Sequence, residues 1–262
     1  MDDKGFFMRL LEDVGLAVAH FVEEMGRIMV FFIETLLWLF RPPLNLRNIF
    51  KQMEEIGVNS VGVVIIMASF TGMVLALQSY TGFKRLNAES LVGTVVAPSM
   101  TRELGPVLTS LIVAGRAGAS MAAELGTMRV TEQIDALATM ATNPIKYLTV
   151  PRVIAGFIML PLLTIISNML GIFGGYLVGV KVLDANPVVY MRRSFDYLEM
   201  NDVFSGIFKA SIFGLIIAVI SCYKGFYAAG GAEGVGKATT GAVVISMMLI
   251  LISDYFLTAI LF

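Results

Sequence analysis

Long stretches of this sequence carry no charge, and the gaps mark out its elements. None lies between Glu55 and Lys84, none between Arg152 and Lys181, and only Asp254 breaks the run from Ala238 to Phe262. About 20 apolar residues, some 30 Å of helix, cross a bilayer, so each run predicts a transmembrane helix. Two further runs are long enough but interrupted: residues 90–115 contain Arg102 and Glu103, and residues 203–223 contain Lys209. Residues 1–40 differ. Glu12, Asp13, Glu23, Glu24, Arg27 and Glu34 recur there among Phe, Leu, Val and Met, the pattern of an amphipathic helix lying along the membrane interface, and Pro42-Pro43 ends it. The expectation is an all-α integral membrane protein: an N-terminal interfacial region over 1–50 and a five-span domain over 51–262.

Between spans two and three lies a long connection, 116–152. Within it Val130, Ile134, Leu137 and Ala141 recur at helical spacing while Glu132, Gln133 and Asp135 fall elsewhere, which predicts a short amphipathic helix within about 127–143. Thr127 or Thr131 is placed to cap its start, and Asn143-Pro144 to stop it. Two readings stay open: a connector packing under the bundle, or a docking helix whose polar cluster meets charges on a cytoplasmic partner.

Composition agrees with the pattern. The chain is 57% hydrophobic and 15% charged, with a mean hydropathy of +0.81, outside the usual balance of soluble domains. A net charge of −1 gives no basic excess for nucleic acid. His20 and Cys222 are the only residues of their kinds, which excludes an internal disulfide and argues against Cys/His metal or catalytic chemistry. The opening MDDKGFF has acidic residues where a secretory signal wants basic ones, so no cleaved leader is expected. Lys and Arg concentrate before span one, between spans two and three (Arg116, Arg129, Lys146, Arg152) and between spans four and five (Lys224, Lys237); the opposite loops hold Lys84, Arg85, Lys181, Arg192 and Arg193. The positive-inside rule then puts the N-terminus in the cytoplasm and the C-terminus outside.

Charges at membrane depth need a function or a partner. The bland reading of Arg102-Glu103 is a pair at the start of a helix beginning after Pro98, snorkelling to the surface; Lys209 has the same alternative near the outer end of span four. Gly171, Gly175 and Gly179 recur every four residues, a smooth face for close helix packing. GAEGVGKAT at 231–239 imitates a phosphate-binding loop, but Ala238 stands where Ser or Thr should hold magnesium, and no preceding parallel strand is expected.

Taken together, RELGP at 102–106, AGRAG at 114–118, AELG at 123–126, EQIDAL at 132–137, NP at 143 and PR at 151 resemble the signature of the MlaE/YrbE permease family, over about four-fifths of the chain. The resemblance implies an ABC-type permease of five spans, homodimeric, in the bacterial inner membrane, moving phospholipid between inner and outer membranes. It implies cytoplasmic ATPase subunits that bind the ATP and magnesium, an MCE-domain protein outside, a STAS-domain subunit as a further candidate, and no cofactor in this chain. EQIDAL would be the coupling helix, with Glu132, Gln133, Asp135 and Leu137 facing the ATPase. Arg102 and Glu103 would line the lipid pocket at the dimer interface. Chemistry agrees: Arg102 suits a phosphate, Glu103 can orient Arg102 or meet a head-group amine, Leu75 and Phe83 suit acyl chains, and Lys209 and Tyr80 complete the candidate set. The alternatives are a proton- or ion-coupled secondary transporter using Glu103, Asp254 or Lys209 as titrating groups, and, behind it, a membrane-embedded enzyme.

Overall fold

A computed structural model describes residues 3–84 and 91–261, apart from the side chains of 3–14, 17 and 21. Arg85, Ser90 and the side chains of Glu12 and Asp13, used above, lie outside the described residues, as do the side chains of Lys4 and Arg9, two of the basic residues before span one. The chain forms two compact units, 1–44 and 45–262. The first is one helix, α1 (Asp3–Leu39), on which Glu23 and Arg27 pair at 2.6 Å one turn apart.

Among the described residues, the second unit holds five helical runs long and apolar enough to cross a membrane. The first joins α2 (Leu46–Ile56) through a tight turn at Val58–Ser60 to α3 (Val61–Lys84). The second runs without a break in helicity from Val92 to Val130 as α4 (Val92–Ser99), α5 (Gly105–Val113) and α6 (Ala119–Val130), separated by single π-helical turns at Met100–Leu104 and Ala114–Gly118. The third has a π turn at Ile145–Thr149 leading into α8 (Val150–Lys181). α10 (Met200–Phe226) and α11 (Gly231–Leu261) complete the set. Two short helices lie in connections: α7 (Gln133–Thr139) and α9 (Pro187–Asp196).

Three expectations need correction. Span two does not end near Gly115: its 39 residues make about 58 Å of helix, almost twice a bilayer core, so α6 projects beyond it. The amphipathic helix is therefore shorter than 127–143. Neither Thr127 nor Thr131 caps it; both hydroxyls donate to carbonyls one turn back, Ala123 and Thr127, and the chain turns through Glu132 at a left-handed φ of 61°. It ends at Thr139, with Ala141 at φ 57°, before Asn143-Pro144 can act. Of its apolar stripe only Ile134 is buried.

Packing follows the small residues. A Cβ on Gly72 would lie 1.8 Å from the Gly171 carbonyl oxygen, so α3 and α8 meet backbone to backbone. The glycine face expected on α8 is filled by neighbours: a Cβ on Gly171, Gly175 or Gly179 would strike Met100, Val96 or the Tyr190 ring. The central core joins Ile56, Val64, Val113, Met121, Leu160, Leu163, Phe213, Ile217 and Ile250. A second cluster, at the other end of α3 and α8, joins Ala76, Val92, Val96, Met100, Val178 and Tyr190. Tyr190 comes from α9, capped by Asn186, whose side chain accepts from the Val188 and Val189 amides at 3.0 and 3.2 Å ahead of Pro187 at its favoured first position. Burial pushes the Tyr190 phenol up to about 12. The 231–239 segment forms the first turns of α11, so its amides belong to a helix and not to a phosphate-binding loop.

Candidate functional site

Pro106 is where the site begins. Proline has no N–H to give the carbonyl four residues back, and the helix before it widens into the π turn Met100–Leu104, a distortion common at functional positions. The carbonyl it leaves is that of Arg102, and it accepts from the Lys209 ammonium at 3.3 Å. Helix α10 reaches this turn because Gly206 allows it: a Cβ there would lie 2.2 Å from the Thr101 carbonyl oxygen.

Lys209 is fully enclosed and surrounded by acceptors. Its Nζ lies 2.8 Å from Glu103 Oε1, 3.2 Å from Asp254 Oδ1 and 2.7 Å from Thr258 Oγ1. The Thr258 hydroxyl has its own proton within reach of the Asp254 carbonyl at 2.7 Å and Glu103 Oε1 at 3.1 Å. Beside this hub Arg102 Nε pairs with Asp202 Oδ1 at 2.6 Å. Asp202 is buried, and its other oxygen accepts from the Glu199 amide at 3.1 Å in a capping box that starts α10. Asp202, Gly206 and Lys209 are spaced i, i+4, i+7, so one face of α10 meets the π turn three times. Arg102 lies about 15 Å along its helix from Val92, Lys209 about 14 Å from Met200, and Asp254 about 10 Å from Leu261. These three ends lie on the same side of the bundle, and the charges share one depth.

Three readings of these residues are overturned. The helix begins at Val92 and carries Pro98 inside it, so Arg102 and Glu103 do not stand at a helix start. Nor does Glu103 orient Arg102: neighbours on a helix do not face each other, and Arg102 takes Asp202 while Glu103 takes Lys209. Lys209 does not snorkel; it points into the bundle. Enclosed against Glu103, Asp254 and Thr258, it suits a positioning role in the candidate set.

The members of the cluster differ in exposure. The side chains of Arg102 and Glu103 are 37% and 36% exposed, against 1% for Asp202 and 0% for Lys209. Leu75, Tyr80 and Phe83, all half-buried on α3, pack on the second apolar cluster, to which Met100 and Leu104 of the π turn also belong. Lys84 lies 5.6 Å from the centre of the Tyr80 ring. The arrangement is a polar end against an apolar wall. Asp202 and Thr258 are the members sequence reasoning passed over, and Asp254 entered it only as a titrating group of the ion-coupled alternative. Asp254 was visible as the single charge of its run, whereas Asp202 sits in a first helical turn, where acidic residues are ordinary.

The coupling candidates lie on the opposite side. Glu132, Gln133 and Asp135 are exposed and Leu137 half-buried. Asp135 pairs with Arg129 at 2.5 Å and Gln133 donates to Thr131 Oγ1 at 3.1 Å, so part of this polar cluster is satisfied within the chain. Nearby, Arg152 is buried between the Leu148 carbonyl at 2.6 Å and Glu124 at 2.7 Å. Arg116, in the second π turn, donates to Ser60 Oγ at 2.9 Å and to the Glu55 carbonyl.

Comparison with known proteins places this geometry in context. The profile of the family described as Permease MlaE matches residues 49–260. A probable ABC transporter permease protein of Rickettsia felis is 52% identical over 97% of this chain and 98% of its own. One from Synechocystis is 43% identical over 90% of each chain. The chloroplast protein TRIGALACTOSYLDIACYLGLYCEROL 1 of Arabidopsis thaliana is 39% identical over 87% of this chain and 65% of its own.

Proposed function

This chain belongs to the MlaE permease family and is an ABC transporter permease, and from that premise we propose that it carries phospholipid between the inner and outer membranes of a bacterial envelope. It works as a homodimer in the inner membrane, N-terminus in the cytoplasm and C-terminus in the periplasm. A separate ATPase binds ATP and magnesium and docks on the 132–137 segment, an MCE-domain protein meets the outer side, and a STAS-domain subunit is a further candidate.

One observation carries the lipid reading: the part-exposed side chains of Arg102 and Glu103 stand on a π turn whose Met100 and Leu104 share an apolar cluster with Leu75, Tyr80 and Phe83. A phospholipid has that polarity, a charged head and long apolar tails, and a carrier site needs a few polar groups in an otherwise apolar cavity. Arg102 holds the phosphate by charge-assisted hydrogen bonds, Glu103 faces a head-group amine, and Lys209 keeps Glu103 in place. The Arabidopsis relative bears the name of a galactolipid, which supports a lipid cargo. The ion-coupled alternative is weaker, because the Rickettsia and Synechocystis relatives bear the name of ABC transporter permeases.

The test is Arg102→Ala in a permease carrying a photoreactive residue at position 75. Phospholipid crosslinking and transport should both fall while extraction and assembly stay normal. Full crosslinking and transport by a normally assembled variant would remove Arg102 from the site.

A further inference from the structure

The ion pair between Arg102 and Asp202 is buried unevenly. The anion is sealed, 1% exposed, with its second oxygen held by the Glu199 amide at 3.1 Å, while the cation is 37% exposed. Anything entering from the open side meets a guanidinium whose counter-ion cannot swing out to meet it. That asymmetry has a thermodynamic consequence, because affinity is the difference between the loaded and the empty site. An arginine at membrane depth with no carboxylate beside it makes the empty site unfavourable, and a phosphate would then bind tightly and leave slowly. A carboxylate that stays on Arg102 in both states stabilises the empty site and lowers the affinity.

We infer that Asp202 is the resident counter-ion of Arg102, a positioning residue that keeps the empty carrier stable and so sets the rate at which an anionic lipid phosphate is released. The inference rests on the reading of Arg102 as the phosphate ligand. It gives the first turn of α10 a role in transport, and it explains why a carboxylate committed to a helix cap also faces the π turn. The other charges at this place, Glu103, Lys209 and Asp254, are tied to one another, while Asp202 pairs with the guanidinium at 2.6 Å.

The experiment uses the assembled transporter extracted from membranes, loaded with radiolabelled phosphatidylethanolamine and followed through detergent exchange. Asp202→Asn keeps an oxygen for the Glu199 amide and removes the charge. Lipid should be retained about tenfold longer than in the parent, and transport turnover should fall with a lowered half-saturating lipid concentration. A merely structural role would instead lower stability and retention together. In the Arg102→Ala background the substitution should change retention no further. Retention in Asp202→Asn equal to or shorter than the parent's overturns the inference while Arg102→Ala still loses lipid; full retention in Arg102→Ala overturns the reading beneath it. Should Asp202→Asn not assemble, Asp202→Ser, uncharged and able to cap, takes its place, and failure of both assigns Asp202 to folding alone.

Discussion

Replacing Lys209 by Met tests whether the centre of the bundle is held by charge. The side chain is fully enclosed, and its ammonium is shared by Glu103 at 2.8 Å, Asp254 at 3.2 Å, Thr258 at 2.7 Å and the Arg102 carbonyl at 3.3 Å. Methionine fills a similar volume, so the packing loss is small and the electrostatic loss dominates. Removing one partner of a buried pair costs about 3–5 kcal/mol, since it strands the other charge; here two carboxylates are stranded near each other. At roughly 2–4 °C per kcal/mol for a domain of this size, the midpoint should fall by on the order of 10 °C, read as the fraction of protein still monodisperse after heating in detergent. Arg102→Ala should cost less, because it strands one carboxylate, Asp202, where Lys209→Met strands two. Adding Glu103→Gln and Asp254→Asn to Lys209→Met should recover at least half the loss. A drop under about 3 °C for Lys209→Met, or no recovery in the triple variant, would refute the reasoning.

Gly206→Ala sets a Cβ 2.2 Å from the Thr101 carbonyl, and overpacking of this kind costs about 1–3 kcal/mol; the same heating assay should show a drop of several degrees. Reversing charge at Glu132 and Asp135 touches exposed groups, so stability should move by no more than ~1 kcal/mol, while lipid-stimulated ATP hydrolysis by the assembled complex is lost; hydrolysis at the parental rate would remove the docking role. Pro106→Ala returns an N–H to the Arg102 carbonyl and relieves a proline worth about 3 kcal/mol within a helix. Melting should not fall, yet transport should, because the new amide competes with Lys209 for that carbonyl.

The spans were legible because a bilayer demands one simple property, length without charge, and runs such as Val153–Val180 display it openly. Boundaries on the polar side were not, since α6 continues past Gly115 through Glu124 and Arg129, residues that suit a helix in water as well as a loop. The site was half legible. Arg102 and Glu103 stood out as charges in an apolar run, but their partners did not, since Lys209 lies more than 100 residues from Glu103 in sequence and burial or snorkelling is decided by what waits at the far end of the side chain. Adjacent opposite charges suggested a pair that helix geometry forbids. Asp202 was hidden by a second plausible role, capping α10, which it also performs.

Prolines link the fold to the site. Pro106 and Pro151 each stand two residues after a π turn, Met100–Leu104 and Ile145–Thr149, and each leaves the carbonyl four residues back without its usual amide. In hydrocarbon such a carbonyl costs several kcal/mol unless another group reaches it. In both cases a side chain from a different helix does: Lys209 of α10 on the Arg102 carbonyl at 3.3 Å, and Asn48 of α2 on the Tyr147 carbonyl at 3.1 Å. The remaining π turn, Ala114–Gly118, has no proline two residues after it but sends Arg116 to the turn between α2 and α3. Helix continuity is given up where neighbouring helices are tied, and at Pro106 the tie is the charged residue that also holds Glu103. Any movement of α10 along the π turn Met100–Leu104 must therefore break a backbone contact and rearrange the charges around Glu103 in the same step, so this permease cannot shift its fourth span without also altering its candidate site.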